Sequence, residues 1–345
     1  MPESISFSPE LLDNHCIVDV RTPLEFEEDH LPGAINVPIL TNQERVEIGT
    51  IHKQIGPKEA RMRGLELTCG RFASMVQEII AHAAGRTVTV YCWRGGLRSK
   101  SMAILLEATG HPVFQLQGGY KAFRGIVNDY FEDFKPPAPL LVMHGMTGIG
   151  KTTFINGLDQ QKWTSIDLEG LACHRGSAFG AIGLDQSLSQ KRFDTLLWDQ
   201  LRRAPADRPI VLEGESPRIG KISLPGNLYD VMADGSRIWC KATLDTRVQR
   251  LTTEYAFPEF RDAMADSLMR IKKKLGGPQF TELSGMLENW DIPGLIKGLI
   301  ESYYDKLYYK HRPWTPVAEL DLEDYALAEN QMEEFWSHHK ADSSI

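Results

Sequence analysis

Over roughly the first 130 residues, short apolar runs alternate with longer stretches whose apolar positions recur at helical spacing. CIVDV (16–20), AINVP (34–38), TVTVYC (87–92) and VFQLQ (113–117) are short and rich in β-branched residues, and they predict strands. The stretches from Arg71 to Ala84 and from Ser99 to Thr109 predict helices. Alternation of this kind implies a parallel sheet covered by helices. The pattern breaks at FEDFKPPAPL (131–140), where three prolines fall within four residues. Proline has no N–H to continue a helix, so the segment reads as a stiff linker. Strands then resume at LLVMHG (140–145), SIDLE (165–169), PIVLEGE (209–215) and RIWCKATL (237–244), and the last hundred or so residues read mainly as helix. Two α/β domains are predicted, residues 1–136 and 137–345, the second with a helical C-terminal region. A length of 345 residues agrees with two domains.

Composition adds exclusions. With 42% hydrophobic and 24% charged residues the chain is an ordinary globular protein. The opening MPESISFSPE lacks the basic start and apolar core of a secretory signal, and no apolar run approaches the ~18 residues of a membrane span. The five cysteines, Cys16, Cys69, Cys92, Cys173 and Cys240, are odd in number and form no CxxC pair. That argues against a disulfide framework and against a zinc site, and it predicts a cytoplasmic protein. A net charge of −8 removes any bulk attraction to nucleic acid. A local stripe remains: Arg270, Lys272, Lys273 and Lys274 in SLMRIKKKLGG are candidates for RNA phosphates, the alternative being a solvated helix face. Tyr303, Tyr304, Tyr308 and Tyr309 follow at helical spacing, as core or as an aromatic wall for a base or an apolar substrate.

TVTVYC runs directly into WRGGLRSKS and then into a predicted helix, so Cys92 stands where a buried strand ends and a helix begins. Backbone N–H groups converge in such a loop, and a helix N-terminus adds about half a positive charge. The loop is therefore a candidate anion site built from Arg94, Gly95, Gly96, Arg98 and Ser99. The same field favours thiolate over thiol, which makes Cys92 the candidate nucleophile.

LLVMHGMTGIGKTT fits GxxxxGK[ST] between a strand and a helix. Gly145, Gly148, Gly150, Lys151, Thr152 and Thr153 are candidates for wrapping a diphosphate, with the Thr152 hydroxyl available to Mg²⁺. Glu213, closing PIVLEGE, is the first candidate for a carboxylate on Mg²⁺ or its water, with Glu215, Asp167 and Glu169 as the others. HRGSAFG (174–180) and ESPRIG (215–220) place Arg175 and Arg218 in loops after strands, as candidate phosphate ligands.

DVRTPLEFEEDHLPGAINVP (19–38) together with YCWRGGLRSKS resembles a rhodanese domain, whose loop cysteine carries sulfur as a persulfide. Asp19, Arg21, Glu25, His30, Pro32, Gly33, Ala34 and Asn36 carry the match. Five residues separate Cys92 from Arg98, one more than in the common sulfurtransferase loop and equal to the spacing of cysteine phosphatases on the same fold. The longer loop favours a tetrahedral, phosphate-like ligand. With GMTGIGKT, DLEGLACHRGSAFG, ESPRIG and YYDKLY following in order, the whole chain resembles the bacterial tRNA 2-selenouridine synthases.

The resemblance implies replacement of sulfur by selenium at 2-thiouridine in the wobble position, 34, of tRNAs for Lys, Glu and Gln. It implies two steps, S-geranylation from geranyl diphosphate and then displacement by selenophosphate. The co-substrates would be those two anions, with Mg²⁺ as a helper and no tightly bound prosthetic group. The partners would be the tRNA anticodon stem-loop and an enzyme that supplies selenophosphate, and a monomer is favoured. Two other readings compete: a cysteine phosphatase or sulfurtransferase fused to a nucleotide-dependent kinase, and a P-loop module that binds RNA without chemistry.

Overall fold

In a computed structural model that describes residues 2–309 and 314–342, the apolar runs form two five-stranded parallel sheets. The first holds β1 (Glu3–Ile5), β2 (Cys16–Asp19), β3 (Ile35–Asn36), β4 (Val88–Tyr91) and β5 (Val113–Leu116), in the order β1-β5-β4-β2-β3. Every residue of β2 and β4 is buried, as a parallel sheet covered on both faces requires. Asp19 pairs with Tyr91 in register, so the chain leaves β2 and β4 at the same edge. That brings the 19–36 signature beside the Cys92 loop.

The structure divides into Met1–Glu132 with Ser189–Asp199, and Asp133–Leu188 with Gln200–Ile345. A single division at residue 136 leaves out the returning segment Ser189–Asp199. The return is held by specific contacts: Tyr120 Oη and Thr195 Oγ1 donate to Asp29 Oδ2 at 2.8 and 2.9 Å, and Trp198 meets Phe123 edge-on at 5.4 Å. Asp29 is wholly buried, and burial lifts its pKa to about 6 against these donors and the nearby Arg124 and Arg192.

In the second unit β6 (Leu140–Gly145), β7 (Thr164–Ile166), β8 (Ile210–Glu213), β11 (Ser236–Lys241) and β12 (Ala318–Asp321) run in the order β12-β11-β6-β8-β7. A small hairpin, β9 (Arg218–Ile219) and β10 (Ile222–Ser223), intervenes in the chain. SIDLE is a strand only to Ile166, because the Asp167 carboxylate accepts the Gly170 N–H at 2.6 Å and starts a short helix there. Among the described residues, the C-terminal region is mainly helical, with β12 and its flanking loops as the exception. Helices Arg261–Leu275, Gly277–Glu288 and Ile292–Leu299 enclose an apolar core that includes Met264, Leu283 and Leu295. A π-helical turn, Ile300–Tyr304, continues the last of them. Among the described residues no helix is long and apolar enough to cross a membrane.

Candidate functional site

Strand β4 delivers Cys92 into its loop at 3% exposure. Gly96 N–H donates to Cys92 Sγ at 3.2 Å, and Ser99 Oγ lies 3.2 Å from the same sulfur. Gln115, from β5, holds the far side: its amide donates to Gly95 O at 2.8 Å and to Ser99 Oγ at 2.9 Å. The sequence reading missed Gln115, whose signal was a polar side chain at a buried strand position. The helix Leu97–Ala108 begins immediately after Gly96, as the anion-site reading requires.

Arg94 is exposed on the loop, but Arg98 is not a spare cation. Its guanidinium grips Glu25 at 2.6 and 3.2 Å. Burial opposes the Glu25 charge, yet the hydrogen bonds and charge of Arg98 hold its pKa at about 2. Arg98, a candidate for the anion loop, therefore brings no net charge there: Glu25 offsets it, and the pair fixes the loop's end. Asp19 and Arg21 form a wholly buried ion pair at 2.6 Å, and Asn36 donates to the Asp19 and Arg21 carbonyls. The Arg21 guanidinium also lies over the rings of Tyr91 and Tyr120, and the Tyr120 N–H donates to Cys92 O at 2.9 Å.

The second site surrounds the turn after β6. Gly148 and Gly150 adopt φ of +82° and +85°, and a Cβ on Gly150 would stand 2.2 Å from the Tyr325 hydroxyl oxygen. Two arginines that the sequence reading did not single out shape the turn. Arg247, 4% exposed, donates to Thr147 O at 2.9 Å while gripping Asp305 at 2.6 and 3.0 Å. Arg250 donates to Ile149 O at 2.6 Å. In a trans peptide the N–H points opposite to the C=O, so carbonyls drawn to the arginines turn the Gly148 and Gly150 amides the other way.

Beside the turn lies a cavity of about 1280 Å³, lined by all residues from Thr147 to Thr153 and by Gly145. Lys151 Nζ is 3.3 Å from Gly145 O. Thr152 Oγ1 donates to Glu169 Oε2 at 3.2 Å. Of the acids expected near Mg²⁺, Glu169 and Glu215 line the cavity. Glu213 is wholly buried, with one oxygen accepting Leu168 N–H and the other without a partner. Asp167 is committed to Gly170 N–H and Asn156. Burial, followed by the charge of Glu215, raises Glu169 to about 8. Such a pair of carboxylates beside a hydroxyl suits a cation that takes one or two carboxylates and keeps its waters, which is the habit of Mg²⁺. Among the described residues no group of three or more His, Cys, Asp or Glu is arranged to hold a metal.

Arg175 lines the cavity, paired with Glu254 and donating to Ile182 O at 2.8 Å. Arg218 is exposed, bonds Gly220 O at 3.1 Å and lies outside the cavity lining. Arg270, Lys272, Lys273 and Lys274 are exposed near the C-terminus of Arg261–Leu275, where cations also offset the helix dipole. Tyr303 and Tyr304 line the cavity with Tyr255, Leu307 and Trp314; the side chains of Tyr308 and Tyr309 lie outside the described residues. His144, at the same wall, is held near a pKa of 4 by burial and by Lys151 and Arg237, so its imidazole is neutral at pH 7.

Comparison with known proteins matches each unit. Residues 8–125 fit the family model of the rhodanese-like domain, and residues 138–315 fit that of the tRNA 2-selenouridine synthase AAA domain. A tRNA 2-selenouridine synthase of Shewanella loihica is 34% identical, covering 86% of this chain and 87% of the relative. Proteins of the same name from Shewanella frigidimarina and Pseudomonas fluorescens are each 32% identical, covering 86% of this chain and 88% of their own.

Proposed function

We infer the reaction from the family: the chain belongs to the tRNA 2-selenouridine synthases and is an enzyme of tRNA modification. Its substrate is 2-thiouridine at position 34 of tRNAs for Lys, Glu and Gln, and the two sites divide the work. At the P-loop, geranyl diphosphate is bound through its diphosphate. The thiouridine sulfur attacks C1 of the geranyl group, a C–S bond forms, the C–O bond breaks, and diphosphate leaves with the electron pair while the N3 proton is lost. Alkylation turns sulfur into a better leaving group. At the Cys92 loop the selenium of selenophosphate then attacks C2, the C–S bond breaks and geranylthiol departs with a proton; water cleaves the Se–P bond, phosphate leaves, and 2-selenouridine remains.

The observation that carries this reading is the cavity itself, where a diphosphate cradle adjoins a wall of Tyr255, Tyr303, Tyr304, Leu307 and Trp314. An apolar chain attached to a diphosphate matches both halves. Lys151 neutralises the departing diphosphate, and the Gly148 and Gly150 amides hold it. Thr152 and Glu169 would hold Mg²⁺, which when bound supplies further charge neutralisation. Arg175 orders the rim. At the other site the Gly96 N–H and the Leu97–Ala108 helix start favour binding of an anion beside Cys92. The test is mass spectrometry of nucleosides from 2-thiouridine tRNA incubated with the protein. Geranylthiouridine should form with geranyl diphosphate alone and 2-selenouridine on adding selenophosphate; 2-selenouridine formed with no prenyl donor and no geranylated intermediate would overturn the order of steps.

A further inference from the structure

We propose that a small apolar cavity adjoining the P-loop cavity receives the far end of the prenyl chain and limits its length to ten carbons. The proposal rests on the prenyl diphosphate reading above. This second cavity measures about 40 Å³. It shares Thr147, Ser177, Leu251, Tyr255 and Tyr304 with the larger cavity, so the two adjoin across these residues. Its deeper lining is Phe179, Met264, Ile296, Leu299 and Ile300, none with a polar side-chain group and none more than 5% exposed.

Size and chemistry select the occupant. A water-sized group needs about 10–15 Å³ measured this way, so the space admits about three such groups. Three carbons are the terminal isopropylidene of a prenyl chain; a further five-carbon unit exceeds the room. Apolar walls offer water no partners, whereas hydrocarbon carbons gain by leaving water. Ile300 and Tyr304 belong to the π-helical turn, which breaks the regular helical rows at the wall of this chamber. Met264 and Ile296 come from two different helices packed into one core, so the floor cannot retreat without repacking it.

The test uses the full chain, 2-thiouridine tRNA, and geranyl or farnesyl diphosphate, with kcat/KM read from nucleoside mass spectrometry. The native protein should favour geranyl. Met264→Ala removes three heavy atoms from the floor, and the farnesyl-to-geranyl ratio of kcat/KM should rise about tenfold or more. Ile296→Val deletes a single methyl group, folds even if Met264→Ala does not, and should move the ratio the same way by about twofold or more. An unchanged ratio in a folded variant, or a native protein that takes both donors equally, overturns the chamber and leaves the P-loop reading intact. A native protein that transfers neither group overturns that reading and the chamber with it.

Discussion

Gly119→Ala perturbs the Cys92 loop from a position 27 residues away in sequence. Gly119 begins the helix Gly119–Glu132 at φ +58°, and a Cβ there would sit 2.1 Å from Cys92 O and 2.5 Å from Gly95 N. Both are backbone atoms and cannot swing aside as a side-chain tip would. Left-handed backbone costs a non-glycine residue about 1–2 kcal/mol. Beyond that, Cys92 and Gly95 must move by roughly 1 Å, a misplacement that costs on the order of 100-fold in rate at a reacting group. Gly110→Ala is the control, since Gly110 has φ +80° with nothing within 4 Å of its Cβ, so it meets the conformational cost without the clash. The assay follows selenation of geranylthiouridine tRNA by nucleoside mass spectrometry, with geranylation and thermal unfolding measured on the same preparations. Gly119→Ala should lose about 100-fold in selenation and keep geranylation, while Gly110→Ala keeps both. Selenation by Gly119→Ala at the native rate would refute the claim that this backbone contact sets the loop.

Glu25→Gln removes the carboxylate that Arg98 grips, and its effect on stability should depend on pH. The Glu25 pKa is depressed in the folded state, from 4.5 to about 2, so its contribution is fully present above pH ~4.5 and is lost as pH falls through 2. The depression corresponds to about 3 kcal/mol, so chemical unfolding should show a wide gap between native and variant at pH 6 that narrows by pH 3. A gap that stays constant over that range would contradict the assignment. Glu169→Gln should raise the Mg²⁺ concentration for half-maximal geranylation by about tenfold or more, read from a Mg²⁺ titration, and an unaltered requirement would remove Glu169 from the cation's holders.

The parts of both sites that depend on chain order were legible in the sequence. TVTVYC and LLVMHG each end where a strand ends, with the expected loop and helix following, because apolar β-branched runs and the glycines after them fix that geometry locally. What was hidden depends on long-range pairing. Gln115 reaches the cysteine loop only because β5 lies beside β4, and Arg98 is neutralised only because β2 brings Glu25 there. Arg247 and Arg250 lie 100 and 101 residues beyond the carbonyls they hold, with no local mark of that role. Asp167 read as a strand end but acts as a helix cap, which moved Glu169 round to Thr152. The return of Ser189–Asp199 had no signal of its own, since an amphipathic helix does not declare which sheet it will cover.

The division of labour between the two sites is tested most directly by two variants and one readout. Purified Cys92→Ala and Lys151→Ala are each incubated with 2-thiouridine tRNA, geranyl diphosphate and selenophosphate, and the nucleosides are resolved by mass spectrometry. Cys92→Ala should accumulate geranylthiouridine without 2-selenouridine. Lys151→Ala should leave 2-thiouridine unchanged, yet still convert tRNA that is supplied already geranylated. Formation of 2-selenouridine by Cys92→Ala, or geranylation by Lys151→Ala at the native rate, would contradict the account.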